Sequence, residues 1–280
     1  MQSPRPLLAL TRRLSFRDGR FSANSRVVPE EVPVAISYAG SSHAVMMATP
    51  GDLEDFAVGF SLTEGIIGSP DEIAEIEVVE TGMGIDIQIS LNEDVTQALR
   101  ARKRSMAGPV GCGLCGIESI EQAVRKVPQV SSTGLALAAD DLPYAISLLN
   151  RSQPLHRETR AVHGAGFYVP GQGLVATRED VGRHNALDKL CGAVVRAGGN
   201  GAKGAVVVTS RISVEMVQKT AILGSPVLVA ISAPTALAIR TAEEAGMTLV
   251  GLVRGNDYEI FTGESRISFP ATIGQLRHFG

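Results

Sequence analysis

The sequence predicts an α/β protein: a larger domain built on a parallel sheet, preceded by a smaller α+β domain. Three observations predict it. From Asp180 to Val253, apolar strands alternate with amphipathic helices at the spacing of parallel strands joined by right-handed crossovers. Each of those helices has a polar start and a glycine exit, at Gly198-Gly199, Gly224 and Gly246. Hydrophobic residues make up 44 % of the 280, but aromatic ones only 4 %, and tryptophan is absent. The core must then be Val, Leu, Ile and Ala, which suits helices packed closely on a parallel sheet.

The elements follow in order. Residues 1–25, with Pro4, Pro6 and scattered Arg, Ser and Gly, read as a weakly ordered segment. Val32–Tyr38 and Ala44–Ala48 read as strands about a turn at Gly40-Ser41. Thr49-Pro50-Gly51-Asp52 starts a helix whose apolar face is Leu53, Phe56, Ala57 and Phe60. Ile73–Glu80 and Ile85–Leu91 are strands, the second alternating Ile85, Ile87, Ile89, Leu91 as a half-buried strand does. Asp94–Arg104 is a helix ending in a basic run. Met106-Ala107-Gly108-Pro109 then marks the boundary, so that 26–105 is the small domain and 106–280 the larger one.

Helices are expected over Ile117–Lys126 and Asp140–Asn150. A hairpin of Ala165–Val169 and Leu174–Thr177 follows, around Pro170-Gly171-Gln172-Gly173. Beyond it come a helix over Val181–Ala197, a strand at Ala205–Thr209, and a helix from Ser213 to Gly224. A strand at Pro226–Ile231, a helix with Pro234 in its first position, and a strand at Thr248–Val253 complete the pattern.

Composition excludes several classes. The net charge is −3, from 26 basic and 29 acidic side chains, so neither a nucleic-acid duplex nor an anionic membrane surface is an expected partner. No apolar run approaches the ~18 residues of a membrane span. Leu7-Leu8-Ala9-Leu10 is too short for a signal peptide, and Arg12-Arg13 follow it rather than precede it. Three cysteines give no disulfide framework. The expectation is a cytoplasmic protein, in a reducing compartment where C-x-x-C means redox, metal or persulfide chemistry.

That motif is Gly111-Cys112-Gly113-Leu114-Cys115-Gly116. Glycine lacks Cβ, so the two sulfurs sit on a thin, pliable backbone that a bulky reactant can approach. The thiolate is the reactive form, and a helix N-terminus near Ile117 would favour it at Cys115. A structural zinc site needs four ligands. No second C-x-x-C exists, and only five His and Cys191 remain to complete one, so no bound zinc is expected. A thioredoxin-like pair would have aromatic and proline surroundings that this chain lacks. The same residues spell G-x-G-x-x-G, but no buried strand precedes them, as a dinucleotide fingerprint requires. His156-Arg157-Glu158 supplies the letters of a deaminase motif in the wrong order relative to the cysteines.

Two other stretches are rich in donors. In Arg178-Glu179-Asp180-Val181-Gly182-Arg183-His184-Asn185, Asp180 can cap the following helix, or Arg178, Arg183 and the helix N–H groups can receive a phosphate, with His163 in the same cleft. Thr209-Ser210-Arg211 and Leu252-Val253-Arg254-Gly255-Asn256-Asp257 each follow the C-terminal end of a parallel strand, the edge where open α/β sheets bind ligands. Arg254 can fork onto a phosphate, and Asn256 and Asp257 can read a purine edge; the alternative is a plain surface turn. Cys191, among Leu187, Leu190, Val194 and Val195, reads as a core thiol.

From about Glu30 to Gly263 the chain resembles the FdhD family, the formate dehydrogenase accessory sulfur carriers. The resemblance rests on Thr49-Pro50-Gly51-Asp52 and Phe60–Ile67, on Cys112-Gly113-Leu114-Cys115-Gly116, on Val162-His163 and on Arg178–Asn185. It continues through Ser210-Arg211, Glu215–Lys219, Ser232-Ala233-Pro234 and Leu252–Asp257. It implies a sulfurtransferase-like carrier that accepts sulfane sulfur from a cysteine desulfurase as a persulfide. The sulfur passes to the molybdenum (or tungsten) bis(molybdopterin guanine dinucleotide) cofactor before that acceptor enters formate dehydrogenase. Cys112 and Cys115 inherit the sulfur-carrying role, with Cys112 first, and Leu252–Asp257 match the cofactor-binding stretch. The resemblance also implies a homodimer and a cytidine-deaminase-like three-layer larger domain without zinc. One departure stands out: many members carry Thr-Gly-Gly before Val-His, and this chain has Thr159-Arg160-Ala161. The rival reading is a non-catalytic chaperone that binds and shields the cofactor.

Overall fold

A computed structural model of the chain describes residues 5–106, 127–130 and 134–270. The protein is a mixed α/β fold of two compact units that interleave in sequence. The first takes the chain as far as Lys126 together with Gln153–Ala165 and Ala176–Gly199; the second takes Val127–Ser152, Gly166–Val175 and the chain from Asn200. A single boundary at 105/106 therefore does not describe the division, because the chain returns to the first unit twice.

In the first unit β1 (Leu8–Arg17) and β2 (Arg20–Pro29) form an antiparallel ribbon where the sequence suggested weak order. The signal lay in Asp18-Gly19. Both residues have positive φ, 50° and 77°, as a two-residue hairpin turn requires. The arginines scattered along both strands masked the alternation that places Leu10 opposite Val27, Leu14 opposite Ala23 and Phe16 opposite Phe21.

β3 (Val32–Tyr38), β4 (Ser41–Ala48), β5 (Ile73–Glu80) and β6 (Ile85–Leu91) make a four-stranded sheet in the order β4-β3-β6-β5. β3 and β6 run parallel and the outer pairs antiparallel. Val34, Ile36, Ile85, Ile87 and Ile89 point inward, as the alternation predicts, and are buried with Phe56 and Phe60 of α1 (Leu53–Thr63). α2 (Glu93–Met106) follows β6.

α1 is buried almost all round, from Asp55 to Thr63, which its one predicted apolar face did not suggest. The reason is a close crossing with α5 (Arg183–Arg196). Gly59 and Gly192 meet there. A Cβ on Gly59 would lie 1.7 Å from the Asp188 carbonyl oxygen, and one on Gly192 would lie 1.9 Å from that of Asp55. Only the missing side chains allow the backbones so near.

The remaining elements are β7 (Leu137–Ala138), α3 (Asp141–Arg151), α4 (Pro154–Thr159), β8 (His163–Val169), β9 (Gly173–Asp180), β10 (Ala205–Val208), α6 (Val214–Ile222), β11 (Val227–Ala230), α7 (Ala236–Glu244), β12 (Thr248–Arg254), β13 (Asp257–Thr262) and β14 (Ile267–Ser268). The larger sheet has the order β13-β12-β11-β10-β8-β9. β10, β11 and β12 are parallel, as the sequence pattern predicts, and β13 returns antiparallel along the edge. In the second unit Leu142, Ile146 and Leu149 of α3 pack on Val207, Val229 and Val250. Val206, Leu228 and Leu249, of the opposite parity, are also fully buried, the mark of strands covered on both faces.

Three boundaries differ from the sequence reading. β9 continues through Arg178, Glu179 and Asp180, and α5 starts at Arg183 after the extended Gly182. α7 starts at Ala236, with the Thr235 hydroxyl accepting from the Ala238 N–H; Pro234 instead bridges to Ile212. Leu252–Asp257 is not a free loop but the end of β12, the Gly255-Asn256 turn and the first residue of β13, with Arg254 opposite Asp257. Among the described residues no helix is long and apolar enough to cross a membrane.

Candidate functional site

Cys112 and Cys115 lie outside the described residues, as do the expected helix over 117–126 and the segment 107–109. The other expected site residues fall into two groups, one in each unit.

The first group surrounds the start of α5. Asp180, at the end of β9, has no exposed side-chain surface. Its Oδ2 accepts from Lys189 Nζ at 2.6 Å and from the Thr49 N–H at 3.0 Å. Its Oδ1 accepts from the Gly182 N–H at 2.7 Å and from Asn185 Nδ2 at 3.0 Å. Thr49 Oγ1 accepts from the Val181 N–H, and Lys189 Nζ also donates to the Thr49 carbonyl. Lys189 sits 5.6 Å from the centroid of the Phe56 ring. Asp180 thus ties the helix start to the residues before α1, a larger duty than the N-cap expected of it. Asn185 and Lys189 are one and two helical turns into α5, facing the same carboxylate. The sequence showed Lys189 only as a lysine on a helix.

Arg178, expected to receive a phosphate, is held by Asp55: its Nε and Nη2 donate to Asp55 Oδ2 at 2.8 and 2.5 Å, and Nη1 donates to the Thr177 carbonyl. Arg196 donates to Asp55 Oδ1 at 2.5 Å and to Glu54. These contacts brace α1, β9 and α5 and occupy the Arg178 fork. Arg183 differs. It is half-buried at the first position of α5, and its Nε is buried with no hydrogen-bond partner. Gly182 offers the helix start no side-chain cap. Together with the positive end of the helix dipole this makes the α5 start a place for an anion.

His163, at the start of β8, belongs to the same neighbourhood. Burial lowers its pKa, the Arg183 and His156 charges lower it further, and Asp180 opposes them. The His156 ring pairs with the Val162 carbonyl through Nδ1 at 3.1 Å. Glu179 is buried and accepts from the Leu155 and His156 N–H groups at 2.9 and 2.8 Å, closing the first turn of α4. Burial pushes its carboxyl up while those N–H groups pull it down. At the other end of α4, Arg160 takes a left-handed conformation, φ 58°, with its N–H on the His156 carbonyl. A helix exit of this kind favours glycine, which accounts for the departure at Thr159-Arg160-Ala161.

The second group lies at the C-terminal edge of β10, β11 and β12. Ser210 is buried, with Oγ donating to the Arg211 carbonyl at 3.0 Å, and Arg211 is exposed. The loops interlock through the Ile212 N–H on the Ala233 carbonyl, the Thr235 N–H on the Ile212 carbonyl and the Leu252 N–H on the Ser232 carbonyl. Leu252 has φ 56° and sits in a bulge between Gly251 and Arg254. This turns the strand end so that Arg254, Gly255, Asn256 and Asp257 are all exposed at the tip. Gln218 and Lys219, buried on α6, stand out in this unit as polar residues that spacing alone did not single out. Among the described residues no three His, Cys, Asp or Glu are grouped to hold a metal.

The sequence profile of the FdhD/NarQ family matches residues 29–268. A protein of Agrobacterium fabrum named sulfur carrier protein FdhD is 67 % identical over 255 residues, covering 91 % of this chain and 94 % of the relative. A Brucella abortus protein of the same name is 56 % identical over 254 residues, with the same coverage. Among solved structures, a protein from Desulfotalea psychrophila described as a formate dehydrogenase accessory protein superposes with a TM-score of 0.75 at 27 % identity, over 94 % of this chain and all of that one. The chain belongs to the FdhD/NarQ family.

Proposed function

We propose that this chain is a sulfur carrier that supplies the molybdenum (or tungsten) bis(molybdopterin guanine dinucleotide) cofactor on its way into formate dehydrogenase. The 67 % identity with the Agrobacterium sulfur carrier, over nearly the whole of both chains, carries this reading. The glycine-flanked Cys112 and Cys115 supply its chemistry.

In the proposed cycle a cysteine desulfurase presents a persulfide. The Cys112 thiolate attacks the terminal sulfur, the desulfurase sulfur–sulfur bond breaks, and the desulfurase leaves as a thiolate. Cys112 then holds the extra sulfur. Release as sulfide takes two electrons: the Cys115 thiolate attacks the inner sulfur, a Cys112–Cys115 disulfide closes and HS⁻ passes to the acceptor. A cellular dithiol reduces the disulfide for the next turn. Arg183, His184 and His163 of the first unit are the proposed anion-binding groups. Ser210, Arg211 and Leu252–Asp257 of the second are the proposed nucleotide-binding stretch, with Arg254 for phosphate and Asn256 and Asp257 for the guanine edge. Arg178 serves by bracing the α5 start. The cytoplasmic location, the homodimer and the cytidine-deaminase-like layering of the larger domain belong to the same proposal.

The test supplies Cys112→Ala, Cys115→Ala and the double variant to cells that lack their own carrier, with formate dehydrogenase activity as the readout. Loss of activity at unchanged protein level is expected. Full activation by the double variant would overturn the carrier reading in favour of a cofactor chaperone.

A further inference from the structure

The largest uncovered apolar surface of the first unit is one face of the β1–β2 ribbon. Leu10, Leu14, Phe16 and Phe21 are 73, 68, 62 and 70 % exposed, and strand pairing puts all four on the same side. Phe16 and Phe21 pack ring to ring at the tip, 4.9 Å between centroids. A two-stranded ribbon is marginal by itself in water, and one with its large side chains uncovered calls for a surface to lie on.

Charge indicates what that surface is. Five arginines (Arg12, Arg13, Arg17, Arg20 and Arg26) against Asp18 alone give Leu8–Pro29 a net charge of +4; the whole chain is −3, so the remainder carries −7. The complement of an apolar, basic ribbon is present on the chain itself. On the outer face of the four-stranded sheet, the edge strand β4 exposes Val45 and Met47, 63 and 48 %. Across the same face β5 and β6 present Glu75, Glu77 and Asp86.

We propose that the ribbon of one copy lies on this outer face of a second copy, the leucines and phenylalanines over Val45 and Met47 and the arginines toward Glu75, Glu77 and Asp86. Each copy gives a ribbon and receives one, so the contact occurs twice and closes in a two-fold pair. Ribbon against ribbon would set +4 against +4 and is disfavoured. The surface is argued without use of the sulfur-carrier reading, so the two can fail separately.

The experiment measures the oligomeric state of the full chain by sedimentation over a concentration series. It uses a ribbon variant, Leu14→Ser with Phe16→Ser, and two sheet variants, Val45→Glu and Met47→Glu. All four positions are exposed, and unchanged far-UV circular dichroism checks the fold. Wild type is expected to dimerise and each variant alone to weaken the dimer about tenfold or more, the effect of removing interface anchors. A one-to-one mixture of ribbon and sheet variants keeps one intact contact and is expected to form a mixed pair tighter than either variant alone. Monomeric wild type, full-strength dimers of the ribbon variant, or a mixture no tighter than its components would overturn the proposal.

Discussion

Lys189 and Asp180 form an ion pair at 2.6 Å in which neither side chain is exposed. It fixes the start of α5, where Arg183 and His184 emerge, to the carbonyl and N–H of Thr49. A buried pair costs much to desolvate and is tolerated only when its remaining polar atoms are satisfied, as they are here by Gly182, Asn185 and Thr49.

Removing one partner strands the other. Lys189→Met is expected to destabilise the protein by about 3–5 kcal/mol, because the Asp180 carboxylate remains buried without its cation. Asp180→Asn is expected to do comparable damage from the other side. Chemical denaturation checks both, and a loss below 1 kcal/mol in either would mean the pair is not the anchor described.

Gly59→Ala sets two effects of opposite sign against each other. In an exposed helix interior the change gains about 1 kcal/mol. At the α1–α5 crossing the added methyl meets the Asp188 carbonyl, and overpacking costs about 1–3 kcal/mol or more. The clash is expected to win at Gly59, and Gly192→Ala is expected to behave alike. A rise in melting temperature for either variant would show that the helices separate easily.

His163 gives a pH dependence whose sign follows from its environment. Its folded pKa lies below the ordinary 6.5, through burial first and Arg183 second. The folded protein therefore binds fewer protons at this site than the unfolded chain as the pH falls below 6.5. Its contribution to stability is intact above that value and is lost on acidification toward the folded pKa. Melts taken above and below pH 6.5 are expected to show a steeper acid loss for wild type than for His163→Gln. GDP bound at the α5 start would offset the Arg183 charge, so an upward shift of the His163 NMR titration on adding GDP is expected; an unmoved titration would count against anion binding there.

Arg160 occupies a left-handed helix exit that glycine adopts without strain. Arg160→Gly is expected to stabilise by about 0.5–1 kcal/mol, the strain relieved less the added freedom of the unfolded chain. Destabilisation would show that the arginine side chain makes a compensating contact.

The parallel strands β10, β11 and β12 were legible because Ala205–Val208, Val227–Ala230 and Thr248–Val253 are short apolar runs between glycine-terminated helices. Alternation likewise revealed β6. The ribbon was not read, since its arginines interrupt the period and Asp18-Gly19 was the one local signal. At the α5 start, the sequence found the right donors but not their partners. That Arg178 belongs to Asp55 and Lys189 to Asp180 depends on contacts between residues 123 and 9 positions apart, set by how α1, β9 and α5 pack. The folding back of Leu252–Asp257 into a hairpin was hidden because Gly255-Asn256 fits a loop as well as a tight turn.

The central claim is tested most directly by incubating the protein with a cysteine desulfurase and L-cysteine and taking its intact mass before and after reductant. The account predicts a reductant-labile gain of one sulfur, about 32 Da, that is lost in Cys112→Ala. No gain in wild type under conditions where the desulfurase itself is persulfidated would contradict it.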